Sequence, residues 1–253
     1  VTRFYSSRNL NGPAATTGIF LAAITTGLLV WGLNVRAAEP SQVENILTDA
    51  ERQEGWKLLF DGKTLNGWKP SEDPESFTVR DGMIVAQGRG KAIQDQAPHP
   101  KCHLFFVGSD GKASFTNFEF QADAKCEHLA NSGIYFHTEF IANAWPQKGF
   151  EIQIDNDPTH SKKTGSLYAV ADITESPAKD DEWFHLHLIV RGKQVIIKLN
   201  DKTVVDWTEP ANFVVRHPPW FTERKLSSGT FALQGHDSES TVYFKNIRVK
   251  PLP

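Results

Sequence analysis

From Phe77 onward the chain is a succession of short runs in which apolar and polar residues alternate, punctuated by Gly, Asn, Asp and Pro. A period of two fits a strand with one buried face, and no stretch of useful length carries the apolar repeat of an amphipathic helix. The runs are 77–79, 83–86, 103–107, 115–125, 132–138, 150–155, 165–170, 183–191, 194–199, 203–208, 229–234 and 241–249. So many strands at close spacing predict an all-β chain folded as a two-sheet antiparallel sandwich or jelly roll.

The clearest local pattern lies between Trp183 and Trp207. Phe184, Leu186, Leu188 and Val190 alternate with His185, His187 and Ile189, and Gly192-Lys193 then turns the chain into Val195, Ile197 and Leu199. Asn200-Asp201 makes a second two-residue turn, because both residues tolerate the positive φ that tight hairpins need. The expectation is a three-stranded meander. In the last run the apolar phase slips between Val242/Phe244 and Ile247/Val249, which predicts a bulge at Lys245-Asn246. Residues 87–101 and 209–228 have no strand pattern and are expected to edge a functional site. Trp56 and Trp68 are expected in the core, and Asp61 is expected to start a turn.

Residues 1–17 contain Arg3 and Arg8 and no acid, residues 19–31 are largely apolar, and Val35-Arg36-Ala37 follows. This order predicts a secretory signal over 1–37, cleaved after Ala37, with an uncleaved membrane anchor as the alternative. Either way the expected location is exported, periplasmic or extracellular. A linker or short helix over 38–53 then leads to one domain over 54–253. With 27 basic against 30 acidic residues and no basic block, nucleic acid is excluded as a partner. The two cysteines, Cys102 and Cys126, match no zinc spacing. Export permits a disulfide, worth roughly 3 kcal/mol on the chain-entropy model, and two separate buried thiols are equally compatible.

No phosphate-binding glycine loop, nucleophile elbow or zinc-helix signature is present. The run Gly149-Phe150-Glu151-Ile152-Gln153-Ile154-Asp155 puts a row of acid and amide groups on one strand face and apolar groups on the other. Such a row beside aromatic residues suits a surface that reads a polyol. Asn131 to His137 place Tyr135 and His137 together, opposite Ile134 and Phe136, and Gln234 and His236 share a face near the C-terminus. His137 and His236 are the imidazoles best placed to move a proton or hold a metal. His185 and His187 belong to the outer side of the meander.

Several segments resemble the 3-keto-disaccharide hydrolase domain family, which is built on the concanavalin A-like lectin/glucanase jelly roll. They are Leu58-Leu59-Phe60-Asp61-Gly62-Lys63-Thr64-Leu65-Asn66-Gly67-Trp68, Asn117-Phe118-Glu119-Phe120, Asn131-Ser132-Gly133-Ile134, Glu151-Ile152-Gln153, Gly165-Ser166-Leu167-Tyr168, Gly229 to Gln234, and Phe244-Lys245-Asn246-Ile247-Arg248. His137 stands where the family often has Arg, and Gln234-Gly235-His236-Asp237 replaces its usual Gln-Asp-His-Gly.

The resemblance implies cleavage of glycosides already oxidised at carbon 3, by elimination across carbons 1 and 2 followed by hydration. It would assign Glu151 or His137 as base and His236 as acid or metal ligand. Asn131, Gln153, Asp155, Tyr168 and Gln234 would contact the sugar. The partner is then a carbohydrate substrate, and a divalent metal ion held by Glu151, Asp155 and the two imidazoles is an option for stabilising the enolate. The alternative function is a non-catalytic carbohydrate-binding module, since lectin-like folds host both roles.

Overall fold

The computed structural model describes residues 44–88, 102–214 and 222–253. The expected signal segment over 1–37, the start of the 38–53 stretch, and residues 89–101 and 215–221 of the two long loops lie outside the described residues. Among the described residues a single five-residue helix, α1 (Asp49–Gln53), precedes the strands. In chain order these are β1 (Lys57–Leu58), β2 (Trp68–Pro70), β3 (Phe77–Arg80), β4 (Met83–Gln87), β5 (Cys102–Phe106), β6 (Asn117–Cys126) and β7 (Asn131–Thr138). They continue with β8 (Phe150–Asp155), β9 (Phe184–Arg191), β10 (Gln194–Leu199), β11 (Lys202–Thr208), β12 (Thr230–Gly235) and β13 (Thr241–Leu252).

The strands form two antiparallel sheets. The larger has the order β11-β10-β9-β6-β13-β4-β3, with β1 also paired to β13, and the smaller has the order β2-β5-β12-β7-β8. The all-β, two-sheet jelly-roll architecture expected from the alternation is therefore the fold. Apolar residues of one phase face the gap between the sheets. Phe118, Phe120, Leu186, Leu188, Val195 and Ile197 from the large sheet meet Leu104, Ile134, Phe136, Ile152, Phe231 and Leu233 from the small one, all fully buried. Phe231 of β12 packs on Phe120 of β6 at 4.5 Å and on Phe118 at 5.0 Å between ring centroids, which ties the two sheets together. Burial of each such ring stabilises the fold by about 1.5–3 kcal/mol.

The meander exists as expected, with β9, β10 and β11 adjacent and Asn200 and Asp201 at φ +48° and +65°. The bulge in β13 is also present: the pairing with β6 shifts between Lys245 and Arg248, and Asn246 has φ +54°. Asn45 clamps this bulge, its backbone N–H donating to Asn246 Oδ1 at 2.6 Å while its own Oδ1 accepts from Asn246 N at 2.9 Å. From residue 44 the stretch expected as a linker thus packs on the domain, and Thr48 and Glu51 form a capping box on α1.

Two expectations need correction or completion. Residues 165–170 are not a strand; Leu167 makes only isolated bridges, to Ile152 and Ala171, within a chain of turns. Cys102 and Cys126 are both buried and are not bridged to each other, Cys102 accepting from Ser76 Oγ at 3.1 Å and Cys126 donating to Asp180 Oδ1 at 3.6 Å. Asp61 does start a turn, its carboxylate accepting from the backbone of Lys63 and Thr64, and Trp56 and Trp68 are buried.

Candidate functional site

The outward face of the small sheet carries the polar ladder. Phe150, Ile152 and Ile154 of β8 point into the core, so Glu151, Gln153 and Asp155 point away from it. That outward row is not solvated: Glu151, Gln153 and Asp155 are 5%, 4% and 2% exposed. The antiparallel register sets Tyr135 opposite Glu151, Gly133 opposite Gln153 and Asn131 opposite Asp155, while Gln234 of β12 lies opposite His103 of β5. Residues distant in sequence are thereby laid side by side on one floor.

Cover comes from the β7–β8 connection. Phe140 and Ile141 pack over Phe105, Tyr135 and Ala232. Trp145 meets the His103 ring edge-on at 5.0 Å, and His103 in turn meets Tyr135 at 5.0 Å. What stays open is a cleft of about 340 Å³, lined on β7 by Asn131 and Tyr135, on β8 by Glu151 and Gln153, on β12 by Gln234, and beyond these by Trp145, Tyr168 and His236. This volume is in the range of small-molecule sites.

Electrostatics single out Glu151. Burial pushes its carboxyl pKa up from 4.5 to about 7, against the opposing effects of a hydrogen bond from Tyr135 and the charges of Arg224 and His236. Tyr135 is itself raised well above the phenol range, by burial and then by the Glu151 charge. Its hydroxyl also accepts from Gln234 Nε2 at 3.3 Å, so Gln234, Tyr135 and Glu151 form a continuous polar chain across three strands. At the rim, His236 Nδ1 lies 2.6 Å from Asp237 Oδ2. Burial raises the Asp237 pKa, but the His236 hydrogen bond and charge outweigh it and hold Asp237 low. Gly88 permits this arrangement: a Cβ there would stand 2.6 Å from Asp237 N and 2.8 Å from His236 C.

Asp155 is placed differently from the sugar-contacting role expected of it. One oxygen accepts from Asp157 N at 2.9 Å; the other accepts from Asn131 at 3.2 Å and Gln153 at 3.4 Å and lies 2.7 Å from His160 Nδ1. It braces the two amides from behind the cleft wall. His137 is not in the cleft. The β7–β12 pairing shifts so that Phe136 faces Phe231 and Thr138 faces Thr230, leaving His137 as the extra residue at φ +54°. The bulge breaks the alternation with Tyr135. The ring is buried, with Nε2 2.9 Å from Thr116 O, Nδ1 accepting from Ser227 N at 3.3 Å, and a pKa lowered by burial. Those contacts fix a neutral imidazole with Nε2–H donating, a structural role rather than that of a base.

Of the expected residues, Glu151, Gln153, Asn131, Tyr168, Gln234 and His236 share the cleft, Asp155 stands behind it and His137 is elsewhere. Among the described residues no three His, Cys, Asp or Glu side chains gather as a metal site. The proposed donor set does not fit a divalent ion, because Asp155 is committed to the amides and His137 lies apart. Sequence reading missed Trp145, which sits in a connection without periodicity, and Arg224, a 3% exposed cation acting on Glu151 from the edge of a long loop. His185 and His187 are on the outer face of the large sheet as expected, paired with Asp123 and Glu119.

Two antiparallel sheets rolled on one another, with acid, amide and aromatic groups lining a cleft on one outer face, define a jelly-roll protein of the lectin/glucanase type. Within that class the family is set by the sequence as a whole: residues 55–250 match the 3-keto-alpha-glucoside-1,2-lyase-like domain, and the chain belongs to that family. It is similar to the 3-keto-disaccharide hydrolase of Bacteroides thetaiotaomicron, at 23% identity over 87% of this chain and 84% of that protein. Two Parabacteroides distasonis structures, both provisionally assigned as glycosyl hydrolases, share the fold. One has a TM-score of 0.66 at 25% identity, covering 83% of this chain and all (100%) of its own. The other has a TM-score of 0.57 at 24% identity, covering 78% and 99%.

Proposed function

We propose that this chain cleaves 3-keto-glycosides, 3-keto-disaccharides among them, by elimination across carbons 1 and 2 followed by hydration. The observation that carries the reading is Glu151, a buried carboxylate with a pKa of about 7 in a cleft also lined by His236 and three amides. A carbonyl at carbon 3 acidifies the hydrogen on carbon 2. Glu151 takes that proton, and the C2–H electron pair becomes the C2=C3 bond of an enolate. The enolate then re-forms the carbonyl, its electrons make C1=C2, and the C1–O bond breaks toward the leaving group. His236 hands a proton to the departing oxygen. Water next adds across C1=C2, with oxygen at carbon 1 and a proton at carbon 2, to give the free 3-keto sugar.

Each part of the cleft has a task in this sequence. A base with a pKa near the working pH combines availability with driving force. Amide donors from Asn131 and Gln234 offset charge on the enolate oxygen, at less cost than water because they are already oriented, and Gln153 holds Asn131 by donating to its Oδ1. Trp145 and Tyr168 offer ring faces to the sugar. The family membership and the similarity to a 3-keto-disaccharide hydrolase support the substrate class. The order of basic, apolar and small residues over 1–37 supports export to the periplasm or beyond.

The test is turnover of 3-keto-glycosides beside their unoxidised parents, with and without chelator. Release of sugar from the oxidised substrates alone, indifferent to chelator, is the expected outcome. Saturable binding without turnover of either class would replace this reading with that of a carbohydrate-binding module. Mass spectrometry of the mature N-terminus tests export, with a chain beginning at residue 38 expected.

A further inference from the structure

Gly133 stands in the middle of β7, an interior strand of the small sheet, between Asn131 and Tyr135 on the outward face. Its φ is not in the left-handed region, so the backbone there does not require glycine. Glycine inside a strand weakens it, through lost chain entropy and the absence of a side chain to pack. What occupies the missing side chain's space is Glu151. A Cβ on Gly133 would stand 2.9 Å from Glu151 Cγ, 3.1 Å from Cδ, and closer still to Oε1. Glu151 projects from β8 opposite Tyr135, so its carboxyl group reaches diagonally over the neighbouring strand and lies on the bare backbone of Gly133.

The geometry points to Gly133 as a positioning residue that acts through Glu151. The bare backbone at this point lets the carboxyl group lie against the sheet floor beside Tyr135, out of solvent. A methyl group at position 133 expels it into the open cleft. This inference rests on the reading of Glu151 as the base, and extends it by naming what fixes the position and desolvation of that base. The effect is specific to the carboxylate, because a Cβ at Gly133 meets Glu151 side-chain atoms as its three nearest neighbours and no backbone among them.

The experiment compares wild type, Gly133→Ala, Glu151→Asp and the double variant. It measures kcat, KM, thermal midpoint and the titration of the residue 151 carboxyl by carbon NMR. Gly133→Ala is expected to keep or raise the thermal midpoint, to lower kcat by about 100-fold with KM changed far less, and to shift the titration of Glu151 downward as the group becomes hydrated. Glu151→Asp, whose shorter side chain cannot reach across β7, is expected to cost activity in wild type but little more in Gly133→Ala, because the two changes remove the same placement. If Gly133→Ala alone fails to fold, the double variant, in which the obstructing carboxyl is withdrawn, is expected to fold.

Losses that multiply in the double variant overturn the proposal. So does a Glu151 titration that Gly133→Ala leaves in place, whatever happens to kcat, and so does a double variant that stays unfolded when the single one does. Should wild type turn over no 3-keto-glycoside, the proposed function falls, and the titration still decides the role of Gly133 by itself.

Discussion

Glu151 shows how one residue's environment sets both chemistry and stability. In the folded protein its pKa is raised from 4.5 to about 7, so the native state keeps this proton to a higher pH than the unfolded chain does. The associated stability is full below about pH 4.5 and is lost as the pH rises through 7, a change on the order of 3 kcal/mol. Glu151→Gln removes that loss. Denaturant unfolding is therefore expected to show the variant gaining on wild type steadily between pH 4.5 and 7, while its turnover falls by about 10³-fold. In wild type, kcat/KM is expected to climb with pH to a plateau above about 7, as the base loses its proton. A flat profile, or equal stability of the two proteins at all pH values, would remove Glu151 from the role of base.

At the scale of elements, β7 and β8 are paired so that Asn131 and Gln153 lean on one carboxylate, Asp155. Asp155→Ala frees both amides, and a rise in KM of roughly tenfold is expected, equivalent to about 1.4 kcal/mol, with kcat much less affected. Steady-state kinetics on a 3-keto-glycoside checks this split. The β10–β11 turn belongs to the other sheet and offers a contrast. Asn200 sits at φ +48° and its side chain accepts from His185 N at 2.8 Å. Asn200→Ala loses that bond and adds a left-handed alanine, so a stability loss of about 2 kcal/mol with unchanged turnover is expected from chemical denaturation and assay. The turn was legible in sequence because Asn-Asp chemistry is local. The bulge at His137 was not, since its cause is the pairing of β7 with β12, where Thr138 meets Thr230 far along the chain.

For the molecule as a whole, the two sheets are held by apolar packing without a covalent link, for Cys102 and Cys126 are buried and not bridged to each other. Burial, followed by the Asp180 charge, pushes the Cys126 thiol up to about 12, so it stays protonated and unreactive. The unfolding midpoint is expected to be the same with and without reductant, and the thiols to react only once the chain unfolds; a midpoint that falls on reduction would reveal a bridge. The architecture, the meander, the β13 bulge and the outward row of Glu151, Gln153 and Asp155 are legible in the amino-acid order alone, because alternation and turn chemistry act between near neighbours. Which polar groups meet follows from the folded arrangement of the strands: it gathers Glu151, Gln234 and His236, sets Asp155 behind the wall, turns His137 away and adds Trp145 and Arg224. Those outcomes depend on strand order and cross-strand register, which arise from packing between segments far apart in the chain, and no local pattern encodes them.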